Sequence, residues 1–134
     1  MTVWLLDSNV VMGYLNQDAT PGFISQFEQA LIEGAAVSVI TTIEVLGWRG
    51  HNAASRASAE KLLGCMDEIP LSGLVVPQTI SLRTEYSIKL PDAVIAATAL
   101  THGLKLATRN LADFDRVAGL SITNPFGVYE NRGD

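Results

Sequence analysis

Three short apolar runs constrain this chain more than any other feature: TVWLL at 2–6, AVSVI at 36–40 and KLAT at 105–108. None of them alternates cleanly between apolar and polar residues, as a strand with one wet face does, so each reads as a strand buried on both sides. Stretches with helical spacing lie between them. Strands of this kind separated by helices imply a parallel sheet covered on both faces, an α/β fold of the doubly wound kind. Helices are predicted from about Ser8 to Leu15, through FISQFEQALIEG to a C-cap at Gly34, and from TTIEVLGW onward. Further helices are predicted from about Ala53 to Asp67, with Ala57, Leu62, Leu63 and Met66 on one face, and from about Pro77 to Lys89. LPDAVIAATAL opens another, which stops at HG, and LADF forms a last short turn of helix. NQDATPG reads as a turn, EIPLS as a brief extended piece and SITNP as the final strand.

With 134 residues, 48% of them hydrophobic, the sequence has the material for one core and reads as a single domain over 1–134. The start, MTVWLLDSN, lacks the basic, apolar and small-residue order of a secretory signal. Apolar stretches are broken well short of the ~20 residues that a membrane span needs, and the expected location is the cytoplasm. A lone Cys65 allows no internal disulfide, and with His51 and His102 it makes no zinc-ligand pattern. Any metal must therefore be held by oxygen. A net charge of −5 argues against a broad cationic footprint for nucleic acid, though it leaves the arrangement of the nine basic residues open.

The acidic residues fall at telling places. Asp7 follows the first strand, Glu44 follows the second in Thr41-Thr42-Ile43-Glu44, Asp113 follows KLAT in Arg109-Asn110-Leu111-Ala112-Asp113, and Asp92 opens the helix that leads into KLAT. Each has an ordinary explanation as a helix-start residue: Asp7, Ser8 or Asp92 as a cap, Thr41 with Glu44 as a capping box, Asn110 with Asp113 as its mimic. Taken together they suggest more, because ligands of open α/β sheets bind outside the carboxyl ends of the strands. Carboxylates converging there repel one another and raise their own pKa values unless a cation shares the site. Oxygen ligands of this kind suit Mg²⁺ or Mn²⁺.

In these motifs the chain resembles the PIN-domain ribonucleases, and within them the VapC-like toxins of toxin-antitoxin pairs. WLLDSNVVMGYL is similar to that family's opening strand, Asp, Ser/Thr, Asn and apolar helix, and TTIEVLGW to its Glu-bearing helix. LPDAVIAATAL and LATRNLADF follow in the family's order and spacing, so the resemblance spans nearly the whole chain. It implies a three-layer α/β/α domain with a short parallel central sheet. It also implies a metal-dependent endoribonuclease that cuts RNA of the translation machinery, tRNA or rRNA, and whose acidic set, catalytic and metal-binding, is Asp7, Glu44, Asp92 and Asp113. Asp7 and Asp92 would be the direct ligands, with Glu44 and Asp113 completing the cluster, while Asp115 reads as a solvated helix residue. Ser8 and Asn9 would contact phosphate or brace Asp7, and Asn110 would orient Asp113. The implied partners are RNA, a cognate antitoxin protein and a second copy of the chain in a homodimer, with no membrane.

For substrate contacts, Trp48 lies four residues past Glu44 and so on the same helix face, where an indole can stack a base, with Arg49, His51 and Arg56 near enough in sequence to meet phosphates. Arg109 lies inside the TRN motif. His102, before Gly103 at a helix end, reads as structural. Met12, Tyr14, Leu15 and Phe23 are candidates for an apolar groove that takes an antitoxin segment, or for ordinary core. The competing readings are a receiver-like phosphoacceptor domain and a catalytically silent PIN-like binding module. Receivers carry paired acids after the first strand and a lysine after a late one, whereas Ser8 and Asn9 follow Asp7 here and Arg109 follows Thr108.

Overall fold

The computed structural model describes residues 1–16 and 19–125. In chain order the elements are β1 (Trp4–Leu6), α1 (Ser8–Leu15), α2 (Pro21–Glu33), β2 (Ala35–Ser38), α3 (Val39–Leu46), α4 (Ala53–Leu63) and β3 (Asp67–Ile69). They continue as α5 (Val75–Glu85), α6 (Leu90–His102), β4 (Lys105–Ala107), α7 (Leu111–Phe114) and β5 (Ile122–Thr123). The strands form one parallel sheet in the order β3-β2-β1-β4-β5. Winding runs outward from β1 in both directions, so the strand order reverses between β1 and β4. In an open sheet of this type that reversal opens a crevice at the carboxyl ends of the strands.

Burial explains why the strands read as unbroken apolar runs. Leu5, Ala36 and Leu106 point to one side, where they pack with α5 and α6 residues such as Val75, Leu82 and Ile95. Their neighbours Leu6, Val37 and Ala107 point to the other, against Val10 and Val11 of α1, Phe23 and Phe27 of α2 and Leu62 of α4. Both faces are thus covered, giving the three layers. Burying each large aliphatic side chain stabilises the fold by about 1.5–3 kcal/mol. In α6 every residue from Ala93 to Ala99 is buried. Four of those seven are alanines, so neighbouring backbone can approach closely at little cost in helix propensity. Gly103, at φ 65°, ends the helix in the left-handed region. Gly34, at φ 113°, turns α2 into β2, and a Cβ there would meet the Met1 carbonyl.

Several expected boundaries move, for local reasons. Val39 and Ile40 belong to α3 rather than to the second strand, because Ser38 caps that helix by accepting the Ile40 N–H at 3.1 Å. Thr41 therefore sits inside the helix and forms no capping box with Glu44. Asn110 precedes α7 without a side-chain cap, so the Asn110–Asp113 mimic is absent as well; the Asp113 N–H is taken by the Asn110 carbonyl at 3.1 Å. The fourth helix stops at Leu63 because Gly64 follows, and its buried face uses Ala59 while Ala57 is exposed. α5 begins at Val75, before Pro77, and ends at Glu85. Phe23 is core, whereas Tyr14 is half-buried and stacks on Phe27 with centroids 4.1 Å apart. Part of the expected NQDATPG turn, Gln17 and Asp18, lies outside the described residues. Among the described residues no helix is long and apolar enough to cross a membrane.

Candidate active site

Asp7 is the last residue before α1 and caps it, accepting the Ser8 N–H at 2.8 Å. Its other oxygen accepts from the Thr108 hydroxyl at 2.8 Å and from the Asn9 amide at 3.2 Å. Thr108 lies just past β4, the strand beside β1, and is fully buried. The Thr108 hydroxyl oxygen also accepts the Asn110 N–H at 3.1 Å, and the Asn9 side-chain oxygen accepts the Arg109 N–H at 3.0 Å. Two strand ends are thereby stitched together around one carboxylate. Sequence reading had placed Asn9 at this site and passed over Thr108, whose partner is 101 residues away in the chain.

Asp92 arrives differently. α6 starts after Lys89 with no side-chain cap, and Asp92 stands in its first turn, half-buried. It is therefore not the helix cap that its position after Leu90-Pro91 suggests. A cleft of about 390 Å³ is lined by Asp7, Glu44, Asp92 and Asp113 together, and by Ser8, Asn9 and Asn110 beside them. Glu44 reaches it from α3 and Asp113 from α7, both exposed. Trp48 and Met12 form one wall; Lys89, unremarked in the sequence, stands at the Asp92 side.

Arg49 and Arg109 do not line this cleft. His51 and Arg56 are engaged locally, His51 with Ser55 and the Val45 carbonyl, Arg56 with the Leu46 carbonyl and Glu60. Asp115 is exposed at the end of α7 and Cys65 is an exposed thiol, both away from the cleft. His102 is exposed in the last turn of α6, where a helix end favours it.

The electrostatics follow from this crowding. Burial raises the Asp7 pKa above its ordinary 3.8, outweighing the hydrogen bonds from Thr108, Ser8 and Asn9, and Glu44 adds repulsion. Asp92 is raised too, first by burial and then by the charges of Asp7, Asp113 and Glu44, with Lys89 opposing. Such a site gains from a cation. Among the described residues no three Asp, Glu, His or Cys side chains are set around one point as a ready-made cage. Donor chemistry nevertheless fits Mg²⁺ or Mn²⁺: Mg²⁺ keeps several waters and takes one or two carboxylates, and a cleft of this size with four carboxylates in its lining leaves room for both.

Residues 4–120 match the PIN domain family. A VapC ribonuclease of Sinorhizobium fredii, Y4jK, is 29% identical over 91% of this chain and 96% of its own. A toxin-antitoxin complex from Klebsiella pneumoniae contains a chain 31% identical to this one, covering 90% of it and 96% of that chain, with a TM-score of 0.74. The DNA-bound VapBC of Salmonella typhimurium, 22% identical over 93% of this chain and 99% of that one, superposes with a TM-score of 0.82 and so shares the fold. The receiver-like reading is not favoured beside these matches. From strand order to sequence match, the chain belongs to the PIN domain family.

Proposed function

We propose that this protein is a metal-dependent endoribonuclease and the toxin of a toxin-antitoxin pair. What carries the reading is one observation: four carboxylates from four separate junctions line a single cleft at the reversal point of the sheet. The VapC ribonuclease and the Klebsiella toxin-antitoxin complex, similar over nearly the whole chain, support the choice of RNA and of an antitoxin partner. Asp7 and Asp92 would hold Mg²⁺ or Mn²⁺ most directly, with Glu44 and Asp113 completing the set. When bound, such an ion lowers the pKa of water and stabilises charge on a phosphodiester.

The chain's own residues do the rest. Thr108, Ser8 and Asn9 fix the Asp7 carboxylate so that its charged form meets a cation rather than collapsing onto a proton. Lys89 supplies a positive charge on the Asp92 side of a cleft otherwise rich in carboxylates, where a backbone phosphate can rest. Asn110, anchored through its N–H to Thr108, holds the turn that carries Asp113. The domain 1–134 would act in the cytoplasm, as a homodimer, on tRNA or rRNA. Its antitoxin would block the cleft, for which a guanidinium is the natural group to set against carboxylates.

The test is direct. Purified protein freed of its antitoxin is incubated with unstructured RNA and with tRNA, in Mg²⁺, in Mn²⁺ and in excess EDTA, and the ends are mapped. Internal cleavage that depends on the ion and disappears in the Asp92→Asn variant is expected. Cleavage unchanged by chelator overturns the metal assignment, and intact RNA in every lane overturns the ribonuclease reading.

A further inference from the structure

Next to the acidic cleft lies a second, larger cavity of about 620 Å³, and the two share a wall made of Trp48 and Met12. Its other lining includes Leu15, His51, Asn52 and Ser58, and among the described residues no carboxylate lines it. Among the described residues the contrast in charge is sharp: four acids on one side of Trp48, none on the other. A strand of RNA presents two kinds of surface, anionic phosphate and neutral, flat, hydrogen-bonding base. This cavity suits the second, and its volume lies within the ~300–1,000 Å³ of pockets that take a small-molecule-sized group.

Trp48 itself is prepared for a flat partner. The residue is 52% exposed, unusual for the largest apolar side chain, yet it is not loose. His51 meets it edge-on with centroids 5.1 Å apart. That imidazole is held at both nitrogens, by the Val45 carbonyl at 2.8 Å and the Ser55 hydroxyl at 2.9 Å. On the backbone side Gly50 lies so close that a Cβ there would run into the indole ring. An exposed aromatic that is already immobilised loses little freedom when a second ring stacks on it.

Resting on the ribonuclease reading above, we propose that this cavity is a base-binding subsite. An unpaired nucleobase adjoining the scissile phosphodiester stacks on Trp48 while the phosphate lies in the acidic cleft. Trp48 is then a binding residue that sets which unpaired segments are cut, and Gly50 and His51 are positioning residues acting through it.

A Trp4→Phe background leaves Trp48 as the sole indole, since the chain has two tryptophans. In EDTA, titration with a random-sequence pool of unstructured 12-nucleotide RNA should quench Trp48 emission saturably. In Mg²⁺, Trp48→Ala should raise KM about five- to a hundredfold with kcat changed far less, Trp48→Phe should recover most of the loss, and Gly50→Ala should fall between. No quenching together with an unaltered KM in Trp48→Ala overturns the subsite while leaving the nuclease in place. If Trp48→Ala spares KM and weakens only a helical peptide from the antitoxin, the cavity belongs to the protein partner and the proposal is wrong. A wild-type protein that cuts no RNA overturns the parent reading and this one with it.

Discussion

Of the helices that start at the acidic cleft, α1 and α6 each bring an aspartate there under different terms. At α1, Asp7 is the cap: it is almost fully buried, and the Ser8 N–H, the Thr108 hydroxyl and the Asn9 amide all donate to it. At α6, Asp92 caps nothing, is half-buried and faces the charges of the other three acids. One carboxylate is held by its surroundings and the other is merely placed by its helix. A helix-start role and a cleft role are therefore not alternatives; Asp7 has both, while Asp92 has only the second.

Removing each charge tests that distinction most strongly. Asp7→Asn and Asp92→Asn should each lower RNA cleavage by at least about a hundredfold, a loss of the size seen when one electrostatic contact at a reacting centre is removed. Their stabilities should separate. Asp92→Asn removes a charge that burial and like charges disfavour, and should raise the melting temperature of the metal-free protein. Asp7→Asn turns one acceptor oxygen into a donor that must face either the Ser8 N–H or the Thr108 and Asn9 donors, so it should be the less stable variant of the two. Equal melting temperatures would erase the contrast between the two helix starts.

Thr108 gives the next largest effect. Thr108→Val keeps the shape but removes the hydroxyl that donates to Asp7, a support whose loss at a metal site typically costs about 10–100-fold in activity or metal affinity. Because that hydrogen bond lowers the Asp7 pKa, its loss should also move the acid limb of the cleavage profile to higher pH. Thr108→Ser should restore both. A variant with full activity and an unmoved profile would show that Asp7 needs no such support.

A smaller effect should appear in stability against pH. Asp7 and Asp92 have folded pKa values above the ordinary 3.8, so the folded state binds protons more readily than the unfolded one. Their contribution to stability is fully present below pH 3.8 and is lost as pH rises through the folded values. Metal-free wild type should thus lose stability relative to Asp92→Asn as pH rises from about 4 toward neutrality, and Mg²⁺ should narrow the gap. Parallel curves for the two proteins would remove Asp92 from the set of strained carboxylates.

The legible parts of this molecule are those where local chemistry and long-range packing agree. α1 and α6 run as read, from Ser8 to Leu15 and from Leu90 to His102, because strong signals bound them: Asp7 before the first, Gly103 after the second. The parallel sheet was legible because both faces of its central strands, β1, β2 and β4, are covered. Val39 and Ile40 were not, since β-branched apolar residues continue a strand pattern as readily as they open a buried helix, and only the Ser38 cap decides. Helical spacing likewise cannot separate groove from core, so Met12 and Leu15 face a cavity while Phe23 is sealed. Asp7, Glu44 and Asp113 could be read from their places after strands, and Asp92 from its place at a helix start in LPDAVIAATAL. Thr108 could not, because what marks it is Asp7, a neighbour brought close by folding from 101 residues away.

Two buried threonines extend the comparison to its smallest consequence. Thr98, inside α6, donates to the Val94 carbonyl four residues back at 2.7 Å, the usual outlet for a hydroxyl in a helix. Thr41 is equally buried, yet among the described residues its hydroxyl has no hydrogen-bond partner. Its place explains why: Thr41 is the third residue of α3, and four residues back lies Val37, whose carbonyl belongs to β2. An unmet buried hydroxyl costs about 1–3 kcal/mol, and valine has the same shape without it. Thr41→Val should therefore stabilise the protein by about 1 kcal/mol, a rise of roughly 3–5 °C in Tm for a chain of this size, with RNA cleavage unchanged. Thr98→Val, which breaks a satisfied bond, should not gain in the same way. If Thr41→Val instead lowers Tm, the Thr41 hydroxyl is satisfied in solution, and the contrast with Thr98 disappears.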